Sequence, residues 1–327
     1  MKLRSFFYTF WMMVMLCVMM VDTQAQWQLA RQEDTKCDNK GTRCELNAIY
    51  FVDKDTGWVV GERGIIRATN NNGERWFAQD AGVKTAINDV LFLNKKDGFL
   101  LASGARIYQT IDGGEIWSPK FQIIAPKTPA HQELPEFYSL AFPSKKKGWV
   151  VGTEGRVLHT EDGGQSWAQQ ESGTKEELVH VKFVTDKRGW VVGGKGTILY
   201  TEDAGRTWAK QTSGVKGHLY HIEATGKKEA VIVGDKGTVL RTENGGASWE
   251  PVKVESKQTL LSVVFVNDDQ GFIVGWRGTI LRTGDGGKTW FTQESGTSQN
   301  LYGLFAKKKQ IWAVGADGLM LRYQDSK

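Results

Sequence analysis

Residues 178–208 read LVHVKFVTDKRGWVVGGKGTILYTEDAGRTW. Residues 178–183 form a strand-like run. A polar turn follows, then Gly189-Trp190-Val191-Val192-Gly193, a short turn at 194–196, and a third β-rich run at 197–201. The turn 202–205 leads to Trp208 and a last short polar run. Four β-rich runs punctuated by Gly and Asp describe an antiparallel meander. Helix-period runs of ten or more residues are absent from the unit, which excludes helix-pair repeats. One four-stranded sheet cannot bury both faces by itself. Radial stacking of such sheets does so, and predicts a propeller.

The unit recurs along the chain. Trp76, Trp117, Trp167, Trp208, Trp249 and Trp290 are spaced by 41, 50, 41, 41 and 41 residues. First-strand runs begin near Ala48, Ile87, Phe137, Leu178, Leu219, Leu260 and Leu301, which gives seven blades. The seventh set ends at Leu321-Arg322-Tyr323 and lacks a fourth strand, while Trp27-Gln28-Leu29-Ala30-Arg31-Gln32 matches Trp167-Ala168-Gln169-Gln170. The expected fold is therefore all-β: a seven-bladed propeller of four-stranded antiparallel blades, closed by its N-terminal strand. Closure of this kind removes an open sheet edge.

Before each recurrent tryptophan stands Thr-x-Asp-Gly-Gly-x-x-Trp or a variant, as at Thr110-Asp112-Gly114-Trp117 and Thr160-Asp162-Gly164-Trp167. Asn71 and Asn244 replace the aspartate in blades 1 and 5. A short acceptor side chain can bind turn amides, and glycine tolerates positive φ. This turn resembles the Asp-box of sialidase-like repeats. Its presence in nearly every blade marks it as scaffold rather than active site.

Outside the repeats, Lys2 and Arg4 precede an apolar stretch from Phe6 to Val21, and Thr23-Gln24-Ala25 offers a cleavage site. Residues 1–25 therefore read as a signal peptide, with an uncleaved membrane anchor as the alternative, and 26–327 as one propeller domain. The mature chain holds 40 basic and 36 acidic residues, a mild balance that does not point to nucleic acid. Cys37 and Cys44 flank a turn-rich hexapeptide; in an oxidising compartment a small disulfide loop is expected, with two free thiols as the alternative. No nucleophile–base pair, phosphate loop or metal-ligand spacing stands out, so neither catalytic residues, metal nor cofactor is expected.

In a four-stranded meander the turns between strands 2 and 3 share a face with the blade-to-blade connections. That face gathers three features. The pattern Gly-x-[Arg/Lys]-Gly places Arg63, Lys195, Lys236 and Arg277 at equivalent turn positions, with Arg106 and Arg156 two residues later in blades 2 and 3. Asp317 breaks the pattern in blade 7. Both long insertions, 33–47 and 118–136, are connections on this face. Trp276, in Gly275-Trp276-Arg277-Gly278, stands outside the repeat tryptophan positions and reads either as an interface anchor or as a residue that packs its own loop. These residues form the expected partner-binding surface, and their radial arrangement predicts a partial cationic ring, with ordinary solvated turn residues as the alternative. The lysine clusters 95–96, 145–147 and 307–309 fall on the opposite face, where solvated turns or peripheral contact with an anionic membrane surface are the two expectations.

The segments Gly148–Trp167 and Gly189–Trp208, Gly-Trp-Val-Val-Gly-x-x-Gly-x-[Val/Ile]-Leu-x-Thr-x-Asp-[Gly/Ala]-Gly-x-x-Trp, resemble the photosystem II stability/assembly factor family. The resemblance runs from Trp27 to Tyr323. It implies a lumenal propeller that assists assembly of reaction-centre subunits through an arginine-rich patch, matched here by Arg63, Arg277, Arg106 and Arg156. The leader suits an exported protein: periplasmic, or thylakoid-lumenal in a phototroph. The leading expectation is a non-enzymatic scaffold for an exported or membrane protein, which would be a photosystem II reaction-centre subunit in a phototroph. Two alternatives stand beside it. A sialidase-like enzyme would need acids such as Glu154, Asp235 and Asp317 near the channel mouth, and the chain lacks a Phe/Tyr-Arg-Ile-Pro motif. A glycan-binding propeller would need neither.

Overall fold

The computed structural model describes residues 26–30, 44–123 and 135–324. Their strands form seven four-stranded antiparallel sheets. In each blade strand 1 lies nearest the axis and strand 4 at the rim: the first strands touch one another around the whole ring, blade 7 meeting blade 1. Blade 4 shows the plan, with strands Leu178–Phe183, Gly189–Gly193, Ile198–Thr201 and Ala209–Gln211. The signal-peptide reading and Cys37 lie outside the described residues, as do residues 33–43 and 124–134 of the two insertions; Ser118–Gln122, read as the start of the second insertion, is instead the fourth strand of blade 2, paired with Arg106–Thr110.

The second strand explains its own sequence. In blades 1, 3 and 4 it reads GWVVG, and every residue of it is buried. A strand covered on both faces by neighbouring blades becomes a continuous apolar run rather than an alternating one. Its leading glycine has a specific cause. An added Cβ at Gly189 would come within 2.7 Å of the Phe183 ring, and Gly57 and Gly98 stand equally close to Phe51 and Phe92. That phenylalanine stacks on the second-strand aromatic of the preceding blade: Phe183 on Trp149 at 3.8 Å, Phe142 on Phe99 at 4.6 Å. In blades 1–4 and 6 the tryptophan after the Thr–Asp turn then meets it edge-on, as Trp208 meets Phe183. Three-ring clusters of this kind hold the blades together.

Closure uses the same chemistry. Gln26–Leu29 pairs antiparallel with Met320–Gln324, Trp27 opposite Tyr323. Trp27 is buried and meets Phe272 of blade 6 edge-on at 5.5 Å. It occupies the role that Trp167 and Trp208 play elsewhere. Phe51 stacks on Trp312, joining blade 1 to blade 7.

The Thr–Asp turns are hydrogen-bonded units. Asp162 Oδ1 accepts from the Thr160 hydroxyl (2.8 Å) and the Ser166 amide (2.9 Å), while Thr160 Oγ1 accepts from the Gly164 amide. Ser166 and Thr160 hold its carboxyl down to about 2. Fourth-strand glutamines add a clasp that the sequence reading did not assign: Gln170 and Gln211 donate to turn carbonyls of the next blade at Ala204 and Gly245.

Candidate functional site

The turn between strands 2 and 3 is the smallest unit of the connection face. Its first amide donates to the carbonyl just before strand 1, as from Gly194 to Glu177 and from Trp276 to Thr259. Its middle residue has φ of 52–58° in six blades, at Arg63, Glu154, Lys195, Lys236, Arg277 and Asp317. The next glycine is required. At Gly196 φ is 68°, and an added Cβ would lie 2.1 Å from the Val215 carbonyl of the following connection. The turns therefore pack tightly against the connection that follows their own blade.

All six predicted cations reach this face, but not as a uniform ring. The seven turns bear Arg63, Lys195, Lys236 and Arg277 together with Glu62, Glu154, Asp235 and Asp317. Lys195 Nζ pairs with Glu176 at 3.0 Å. Arg156 pairs with Glu154 and donates to Thr153, and Arg106 donates to the Ser103 carbonyl and the Thr85 hydroxyl. The charges of Lys195 and Arg156 are thus engaged by carboxylates, and the guanidinium of Arg106 by its own turn and by Thr85 of the preceding connection. Among the described residues Lys236 and Arg277 form no ion pair. Trp276 is 44% exposed beside Arg277.

Four further cations share this face and escaped sequence reasoning: Lys84, Lys175, Lys216 and Lys257, each exposed in a connection. Their recurrence at the repeat spacing was the available signal. Cys44 is buried and disulfide-bonded.

Inside the ring of turns opens a cavity of about 410 Å³, lined by the first strands. Each of these strands carries a register shift at its second residue. Those bulged residues include Asn47, Asn88, Tyr138, Tyr220 and Tyr302. Asn47 and Asn88 donate to the next blade's Ile87 and Phe137 carbonyls. Tyr220 is pushed up to about 12 by burial and the adjacent Asp235. His218 stands 3.6 Å from both Glu177 and Asp235.

One residue deeper, Asp89, Ser139 and His180 each accept an amide from the next blade, at Leu140 (3.0 Å), Val181 (3.4 Å) and Ile222 (3.4 Å). Burial raises the Asp89 carboxyl to about 7, against the two amides that favour its charge. Burial also lowers His180 well below its ordinary value and His221 to about 3, and their rings stack at 3.6 Å. Of the acids considered for hydrolysis, Glu154 is ion-paired, Asp235 accepts the His218 amide at 2.8 Å, and Asp317 accepts from Gln299. Among the described residues no group of three His, Cys, Asp or Glu could hold a metal. The arrangement offers an aromatic and amide rim of mixed charge, suited to holding an extended chain.

A family model described as "Photosynthesis system II assembly factor YCF48" matches residues 68–175, 129–250 and 242–326. No curated relative matches the sequence. Among solved structures, "YCF48 bound to D1 peptide" superposes with TM-score 0.72 at 19% identity, over 92% of this chain and 97% of that one. YCF48 from Cyanidioschyzon merolae gives 0.73 at 21%, over 92% and 99%. A catalytically inactive virginiamycin B lyase from Staphylococcus aureus gives 0.76 at 13%, over 92% and 99%. At such identities the likeness is one of fold.

Proposed function

The chain belongs to the photosynthesis system II assembly factor YCF48 family, and from that premise we propose that it is a non-enzymatic assembly scaffold. It holds a segment of an exported or membrane protein against the connection face, at the channel mouth. A relative of the same fold is bound to a D1 peptide, which supports a photosystem II reaction-centre subunit as the partner in a phototroph. The reading of residues 1–25 as an export leader supports a periplasmic or lumenal site.

The observation that carries this reading is Trp276. Its equivalents in the other turns are Glu62, Ser103, Thr153, Gly194, Asp235 and Ala316, so the turn does not require an indole. Yet one stands 44% exposed beside an unpaired guanidinium, the combination that anchors protein interfaces. The mixed charge around it favours a partner chosen by pattern rather than by bulk attraction.

A photo-crosslinker at position 276, used in the native envelope, should trap a membrane or exported protein. Trp276→Ala with Arg277→Glu should weaken binding of that partner about tenfold or more, as expected for an interface anchor. Unchanged binding would remove this face from the function.

A further inference from the structure

The face opposite the connections carries a charge pattern that the fold does not require. Its inner ring, around the axis, is made by the turns between strands 1 and 2: residues 52–56, 93–97, 142–147, 184–188, 225–229, 266–270 and 307–309. Its outer rim is made by the Thr–Asp turns: residues 70–76, 111–117, 161–167, 202–208, 243–249 and 284–290. Backbone bonds such as Gly163 to Lys146 and Ala204 to Lys187, both 2.9 Å, join rim to ring on one surface. The inner ring holds thirteen Lys and Arg against seven Asp and Glu; the rim holds nine acids against three bases. A cationic hub thus sits inside an anionic border. Lys95 and Lys147 pair with Asp53 and Asp186, whereas Lys145, Lys146, Lys308 and Lys309 are exposed without an ion pair among the described residues.

This pattern discriminates by size. A flat anionic membrane would meet rim and hub together, and repulsion would offset attraction. A compact anion centred on the hub meets the lysines, with the rim largely screened beyond about 8 Å at physiological salt.

A second feature adjoins the hub. At most junctions the Thr–Asp turn packs on the preceding blade's second strand: a Cβ added at Gly73, Gly164 or Gly287 would meet Trp312, Phe99 or Val231. Blade 7 takes its third and fourth strands from opposite ends of the chain, and has no such turn among the described residues. Beside Phe272, where that turn would lie, a cavity of about 290 Å³ remains, floored by Val266, Phe272 and Ile311 and edged by Gln270, Lys308 and Lys309.

We propose that hub and cavity together bind an acidic peptide segment carrying one large apolar side chain. Carboxylates lie over the lysine turns, and the apolar group enters the cavity beside Phe272. This is a second binding surface, independent of the connection face.

The probe is a fluorescein-labelled peptide of eight glutamates with a central phenylalanine, followed by anisotropy, beside the same peptide with serine in place of phenylalanine. The full mature protein should prefer the phenylalanine peptide several-fold. Replacing Lys145, Lys146, Lys308 and Lys309 by Glu should weaken both peptides at least tenfold. Gln270→Trp, which plugs the cavity rim, should erase the preference and leave the serine peptide unaffected. Trp276→Ala should change neither. Three results would overturn the proposal: undiminished binding to the four-lysine variant, a phenylalanine preference that survives Gln270→Trp, or tighter binding to phosphatidylglycerol vesicles or to an oligonucleotide of equal charge than to the phenylalanine peptide.

Discussion

Six non-glycine residues hold left-handed φ at the same turn position, and they include arginine, lysine, glutamate and aspartate. The conformation is imposed by the strands on either side, not by these side chains, so side-chain identity is free to vary there. The following glycine has no such freedom. Gly196→Ala should cost about 2 kcal/mol or more, from strain at positive φ and collision with the Val215 carbonyl, read by urea unfolding. Ala105 fills the equivalent place in blade 2, at φ 49°, where a long connection after the fourth strand Ser118–Gln122 replaces the usual short one. The channel residues predict opposed pH effects. An unfolded aspartate ionises near pH 4, whereas folded Asp89 keeps its proton to about 7. Between those values the native state holds the extra proton, so stability falls as pH rises through them. Unfolded histidines take up protons below about pH 6.5, whereas His221 stays neutral down to about 3, so that contribution is lost as pH falls below 6.5. Asp89→Ser, which copies Ser139, should therefore gain stability relative to the parent at pH 8 compared with pH 4.5. Parallel urea titrations at the two values check this.

Between elements, volumes are matched across the register pair that joins the end of strand 1 to the start of strand 2. Phe183 faces Gly189 and Phe51 faces Gly57, but Ala224 faces Ala230 in blade 5 and Ala306 faces Ile311 in blade 7. Large with none, small with small, and small with large are three ways of filling one space. Phe183→Ala should destabilise by about 3 kcal/mol, and Gly189→Ala should destabilise through its 2.7 Å approach to Phe183. The double variant, which copies blade 5, should lose clearly less than the sum. Strict additivity in a double-mutant cycle would contradict the packing account. Apolar runs and glycines were legible in the sequence. Why GWVVG begins with glycine was not, because the ring it accommodates comes from another strand and stacks on another blade.

For the whole molecule, the ring depends on five residues at its start. Trp27→Ala should cost about 3 kcal/mol. A chain beginning at residue 31 would leave Met320–Gln324 as an open edge and should associate, visible by light scattering. The repeat spacing, the number of blades and the closing strand were all determined by sequence, because a propeller's period is written in local strand and turn chemistry. The shared face of Arg63, Lys195, Lys236 and Arg277 was equally legible, since strand alternation fixes which turns point together. Their electrostatic setting was not. Glu62, Asp235 and Asp317 join them in the same turns, and Glu176 reaches Lys195 from a connection. The Asp89–His180–His221 ring and the cavity beside Phe272 likewise draw on residues from separate blades. Such features arise from distances across the ring, and spacing along a chain does not encode these until the sheets have closed around their axis.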